Sequence, residues 1–221
     1  MSDDQSGANN LRQLETVARP MSPAAEAYQT VGVNLRFGGA DPRPKTILFT
    51  SAGRDDGNSI VTANVAVAIA QGNAQIVLVD ANLRHPTLHE IFGVANTQGL
   101  TTLARSASPE MLIHETEIQG LKLVAGGPPP ANPTEVLSSP AVTQLIEQLR
   151  ADADLVLVDS APVTSAAETS LLAARLDGVI LVVDGRRTRR QDARRAKEQL
   201  ERVNARILGV LLHNVRMDRE S

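Results

Sequence analysis

The residues with the clearest capacity for chemistry lie in the stretch ILFTSAGRDDGNSIVTANVAVAIAQ, from Ile47 to Gln71. It reads as a buried strand, a short glycine-containing loop and an apolar helix. That order makes a cradle for phosphate, because N–H groups at the start of the helix point at the anion. The candidate nucleotide-binding residues are Gly53, Arg54, Asp55, Asp56, Gly57, Asn58, Ser59 and Ile60. Such a loop calls for Lys and then Ser or Thr just before the helix. Ser59 is present; Asn58 stands where the lysine is needed. Two aspartates complete the set, Asp80 at the end of IVLVD and Asp159 near the end of LVLVDS. The Ser59 hydroxyl can sit on Mg²⁺, and Asp159 can hold that metal's waters. Asp80 can hold the metal or accept a proton from an attacking hydroxyl or water. Asp80 and Asp159 are thus the catalytic candidates, and Ser59, Asp80 and Asp159 the metal candidates. The chemistry would be phosphoryl transfer or hydrolysis. The plainer alternative is a simple βα turn with the aspartates as helix caps.

The elements around these residues alternate. Apolar runs read as strands at Thr46–Ser51, Ile76–Asp80, LKLVAG, Leu155–Ser160, Gly178–Asp184 and Ile207–Val215. Helical patterns fall between them, and Leu83 to Ile118 reads as short helical pieces. Alternation of this kind predicts an α/β fold with a mainly parallel sheet and helices on both faces. In such sheets ligands bind beyond the carboxyl ends of the strands, where the loop and both aspartates fall. Before the first strand, Ser22 and Pro23 open a helix as cap and first residue, and Gly32 weakens that helix by about 1 kcal/mol relative to alanine. Residues 1–20 read as a disordered tail, 21–216 as one domain and 217–221 as a short tail.

Composition narrows the classes. The chain has 221 residues, 42% hydrophobic and 2% aromatic, so the core is built from Val, Leu, Ile and Ala. The formal charge of −3 gives no general attraction to nucleic acid or anionic membrane. The lack of cysteine excludes disulfides and thiolate metal sites. No apolar run approaches the roughly 20 residues that span a bilayer, so a cytoplasmic protein without direct membrane insertion is expected, recruited to the inner face of the membrane through a partner. The helix RRTRRQDARRAKEQLERV is basic and reads either as a patch for DNA, anionic lipid or an acidic partner, or as a solvated face with interspersed acids. His85 and His89 lie four apart, with no third ligand evident by spacing.

The order and spacing of EAYQTVGVNLRF, TSAGRDDGNSIVTANVAVAIAQ, VLVDANLRHPTLHEIFG, GLTTL, GGPPPANPTEVLSS, DLVLVDSAPV and ILGVLLHNV resemble the bacterial tyrosine kinases (BY-kinases) of capsular and exopolysaccharide synthesis. These are relatives of the MinD/ParA ATPases and carry the P-loop NTPase topology. The resemblance runs from about Glu26 to Asn214. It implies ATP and Mg²⁺ as cofactors, and a transmembrane polysaccharide co-polymerase as activating partner. It puts VDANLRHP at the second acidic motif, VDSAPV at the Walker B motif and Asn214 near the adenine. The departures are Asn58 for lysine, Asp55 for a loop glycine, Asn82 for the second aspartate of the acidic motif, and Gln29 and Gly32 for the arginines of the oligomerisation helix, where Glu26 is kept. The C-terminal tyrosine cluster has no counterpart, and Tyr28 is the sole tyrosine. A lysine–phosphate contact at about 4 Å is worth on the order of 4 kcal/mol at an effective dielectric near 20, so losing most of it costs around a hundredfold or more in rate or affinity. Asp55 adds a negative charge to the cradle, and Arg54 is the nearest candidate to compensate. The expected role is a BY-kinase-like protein with weak or no kinase activity and a weakened homo-oligomer. The alternatives are an active kinase or ATPase with an unusual loop, and a ParA/MinD-like positioning module binding DNA or a membrane partner. Nucleic acid is the less favoured partner.

Overall fold

The computed structural model describes residues 10–39, 41–53, 56–105 and 109–215. Arg54 and Asp55 lie outside them, as do 1–9 and 216–221. Two helices come first, α1 (Glu15–Ala18) and α2 (Pro23–Phe37). Then follow β1 (Thr46–Ser51), α3 (Asn58–Gln71), β2 (Ile76–Asp80) and α4 (Leu88–Phe92). Two 3₁₀ turns, Leu100–Arg105 and Pro109–Leu112, lead to β3 (Ile113–Glu115) and β4 (Leu121–Val124). The rest is α5 (Pro133–Ser138), α6 (Pro140–Asp152), β5 (Leu155–Asp159), α7 (Ala167–Arg175), β6 (Gly178–Asp184), α8 (Arg190–Arg202) and β7 (Ile207–His213).

Among the described residues the strands form one seven-stranded sheet in the order β3-β4-β2-β5-β1-β6-β7. Every pairing is parallel except β3 with β4. The continuous apolar runs become the central strands because both faces are covered: β1, β2, β5 and β6 are buried along their whole length. Alternate residues feed two cores. Ile47, Phe49, Leu157 and Val182 pack with α3, and Leu48, Val156, Val158 and Leu181 pack toward α6, α7 and α8. α3 is apolar on nearly every side, with residues 61–70 all buried, which suits a helix between the sheet and α2.

Two expectations are corrected. Residues 10–20 are not a loose tail. Leu11, Leu14 and Thr16 are buried, and the Thr16 N–H and hydroxyl both donate to the Asn64 amide oxygen at 3.0 Å. Burial of two leucines on α3 supplies what the local composition did not reveal. The stretch 83–118 contains helical pieces as expected, and also the strand β3, which pairs antiparallel at the sheet edge. Gly32, a poor helix former, has a packing reason: a Cβ there would lie 2.7 Å from Cγ1 of Ile69, so α2 and α3 approach closely at this point. Gly32→Leu should therefore destabilise the fold by about 1–3 kcal/mol despite better helix propensity, and Ile69→Ala in the same chain should recover part of the loss. Denaturant melts of the single and double variants check this; a neutral or stabilising Gly32→Leu would refute the close contact.

Candidate functional site

The site forms where β1, β2 and β5 end. β1 runs into the loop, which returns through Gly57 into α3. Gly57 caps the helix at φ +70°, a left-handed conformation natural to glycine. The N–H groups of Asn58, Ser59 and Ile60 have no acceptor among the described residues. They open toward a cleft of about 450 Å³ lined by Asp56, Gly57, Asn58, Ser59, Ile60, Asn82, Arg84 and His85, among others. Expected site residues are thus brought together here.

The Asn58 side chain turns inward. Its Nδ2 faces the Phe49 carbonyl at 3.0 Å, the Ser160 carbonyl at 3.1 Å and Asp159 Oδ1 at 2.5 Å. Two hydrogens serve three acceptors, while Asn58 Oδ1 is buried without a partner among the described residues. Exchanging the amide's oxygen and nitrogen would set an oxygen against three acceptors, so the orientation is fixed. Asp159 is wholly buried. Its Oδ2 accepts from the Ser59 hydroxyl at 2.6 Å, and Thr62 lies 3.4 Å from Oδ1. Asp56, 2% exposed, accepts the Gly53 N–H at 2.7 Å, placing a carboxylate on a loop donor.

Asp80 is engaged with the backbone of the following turn. It is fully buried, and its oxygens accept from backbone N–H groups of Asn82, Thr87 and Leu88. It therefore anchors the turn into α4, the capping role that was the plainer alternative. It is also the register partner of Asp159 on the adjacent strand. Burial raises both carboxyls above the ordinary carboxylate range, and the charge of Asp80 adds to the effect at Asp159. Asn214 does not line the cleft. Its amide donates to Asp184 Oδ2 at 2.8 Å, at the end of β6.

Three residues near the cleft were not singled out by spacing. Arg84 donates from Nε and Nη2 to buried Glu168, at 2.6 and 3.2 Å. Burial opposes the charge of Glu168, but the Arg84 fork, a backbone N–H and the Thr134 hydroxyl together keep the carboxyl low. This fixes a guanidinium at the cleft wall. His213 lies against the loop: a Cβ at Gly57 would be 3.2 Å from its ring. Its Nδ1 is 3.4 Å from the Tyr28 hydroxyl, which ties α2 to the loop. Burial lowers the pKa of His213, although Asp184 opposes this.

The residues fit the two halves of Mg-ATP unequally. Ser59 and Asp159 form the oxygen pair that suits Mg²⁺. Among the described residues no group of three or more His, Cys, Asp or Glu is arranged for a metal, so waters or phosphate would have to complete the shell. The phosphate half fits only in part: the N–H groups of Asn58, Ser59 and Ile60 open toward the cleft, but the side-chain amide at position 58 turns inward and Asp56 occupies a loop N–H. The buried carboxyl pair has a measurable consequence. The folded state retains a proton that the unfolded chain has released, so the pair lowers stability as pH rises from the ordinary carboxylate range toward neutrality. Asp80→Asn should flatten this decline, by about 2–4 °C in Tm across that window. Melts of both proteins over the window check it; parallel curves would exclude the pair as the source.

Comparison with known proteins gives the family. A family model described as "ParA: NUBPL iron-transfer P-loop NTPase" matches residues 44–218. The tyrosine-protein kinase YwqD of Bacillus subtilis is 32% identical over 97% of this chain and 91% of its own length. Among solved structures, the chimerical protein CapA2B2 is 31% identical with a TM-score of 0.88, covering 92% of this chain and 90% of that one. The kinase domain of Escherichia coli tyrosine kinase ETK is 26% identical with a TM-score of 0.87, covering 94% and 81%. The family match over residues 44–218, the 32% identity to a tyrosine-protein kinase over nearly the whole chain and the shared fold mean that the chain belongs to the ParA/MinD-like P-loop NTPases and, within them, to the bacterial tyrosine kinases.

Proposed function

We propose that the protein serves exopolysaccharide synthesis and export through contact with a transmembrane polysaccharide co-polymerase, with weak or no ATP-dependent tyrosine kinase activity of its own. The observation that carries this reading is the inward amide of Asn58, tied to Asp159 and two backbone carbonyls. A lysine there would bring a positive charge to the β- and γ-phosphates, whereas this amide offers them neither a charge nor a free hydrogen. Asp56 on the Gly53 N–H works in the same direction. The sole tyrosine, Tyr28, is 8% exposed, and burial pushes its pKa up to about 12. It is a poor phosphoryl acceptor in this conformation. Among the described residues no helix is long and apolar enough to cross a membrane, so a membrane-bound partner would supply the anchoring.

A second reading has its own support. Ser59 and Asp159 retain the metal-binding pair, and Arg84 places a cation on the cleft wall. A kinase or ATPase using Arg84 in place of the lysine would phosphorylate a partner's tyrosine. Calorimetric titration with ATP and Mg²⁺ separates the two. The wild-type protein should show no binding in the micromolar range, and Asn58→Lys should bind at least about a hundredfold more tightly. Micromolar binding by the wild type would sink the impaired-enzyme reading and make Arg84→Gln the next variant to titrate.

A further inference from the structure

The basic segment 186–202 is not electrically uniform. Within α8 the charges pair along the helix: Arg194 with Glu198, Lys197 with Glu201 and, more loosely, Arg195 with Asp192. The turn before it is different. Arg186, Arg187, Arg189 and Arg190 are all exposed, and none has an acidic partner among the described residues. The adjacent acid, Asp184, is 1% exposed and committed to the backbone. Its Oδ1 accepts from the N–H groups of Arg186 and Arg187 at 2.7 and 3.1 Å, and its Oδ2 from Asn214. Thr188 closes the turn by accepting the Asp184 N–H. The turn is therefore fixed, and its four guanidinium groups are free to meet a ligand. Because α8 begins at Arg190, these cations also sit at the positive end of its dipole, where they repel the helix rather than cap it. They do not serve the stability of the fold.

Aliphatic surface borders the same turn. Val215 is 46% exposed and its side chain lies against Gly185. Leu212 and Val210, both 58% exposed, stand on the edge strand β7 beside it. Arginines and exposed aliphatic side chains on one patch suit a layer of anionic lipid headgroups, which takes both charge and carbon. They suit nucleic acid less well. The patch itself holds no tryptophan, tyrosine or phenylalanine, so bases have no such ring to stack on there. The guanidinium groups also come from one turn rather than from a stripe that could follow a phosphate backbone.

We propose that the 185–190 turn, with Val210, Leu212 and Val215, is a peripheral docking surface for an anionic lipid headgroup layer. This contact is independent of whether the phosphate loop binds nucleotide. It lies at the carboxyl end of β6 and β7, the same edge of the sheet as the cleft, and would hold that edge near the membrane.

Cosedimentation of the full chain with vesicles tests it. One set is phosphatidylcholine alone; the other carries about 30% phosphatidylglycerol. Binding is expected on the anionic set only, and should fall sharply as salt rises from about 50 to about 300 mM. Arg186→Gln/Arg187→Gln should bind roughly 25-fold more weakly, at about fivefold per arginine near the headgroups. Arg189→Gln/Arg190→Gln should do the same, and Leu212→Ser should weaken binding on its own. All are exposed positions, and unchanged melting temperatures would certify the variants as folded. Equal binding to both vesicle sets, no binding to the anionic set at low salt, or full binding by both double variants would overturn the proposal. So would duplex DNA or polyglutamate that displaces the protein from anionic vesicles at equal charge and loses its hold in the same variants.

Discussion

The carboxylate of Asp159 is the group on which the site depends. It is buried at the end of β5, in the middle of the sheet, where an unsatisfied charge would be severely unfavourable. Three side chains from the first turns of α3, Asn58, Ser59 and Thr62, surround it. The same amide of Asn58 also reaches the Phe49 carbonyl of β1 and the Ser160 carbonyl after β5. One buried acid therefore fixes the start of α3 relative to two central strands. Gly57, in a left-handed conformation, leads the chain into that attachment.

This arrangement explains how the fold persists without the lysine. A short neutral amide meets the structural need of the buried acid but extends no charge into the cleft. The same substitution thus has opposite effects on two links of the chain from sequence to function. Packing is preserved, because Asp159 keeps its donors. On the proposed reading phosphate recognition suffers, because the donor faces inward and its oxygen has no partner among the described residues. The scaffold stays close to that of the solved relatives, with a TM-score of 0.88 against CapA2B2.

The sheet was legible because four long apolar runs end in or beside turn residues and alternate with helical patterns. Their burial on both faces follows directly. The loop was legible from Gly57 and Ser59, and Asp159 from its place at a strand end. Asp80 looks the same in sequence, and the sequence does not show that both its oxygens accept from the turn into α4. A strand-final acid has one appearance for two jobs, and only the path of the following backbone separates them. β3 was missed because three partly exposed residues carry no periodic signal. The order of residues 10–20 was missed because it comes from Asn64 and α3, some fifty positions away. His213 went unnoticed because its approach to Gly57 depends on the register of β7 against β6, which includes a bulge.

The basic helix shows the same limit for electrostatics. Net charge is a sum over the chain, and −3 conceals strong local differences. Spacing four apart lets a reader see that Arg194 and Lys197 neutralise Glu198 and Glu201 on one helix surface. It does not show that Asp184, two residues before Arg186, is turned inward to hold the chain. That inward acid separates the charges: its carboxylate satisfies the N–H groups of the turn, and the guanidinium groups on the same residues are left outward. A buried acid again sets the geometry while the function of its neighbours is decided by what it leaves unpaired, as Asp159 does for the amide oxygen of Asn58 two strands away along the same edge.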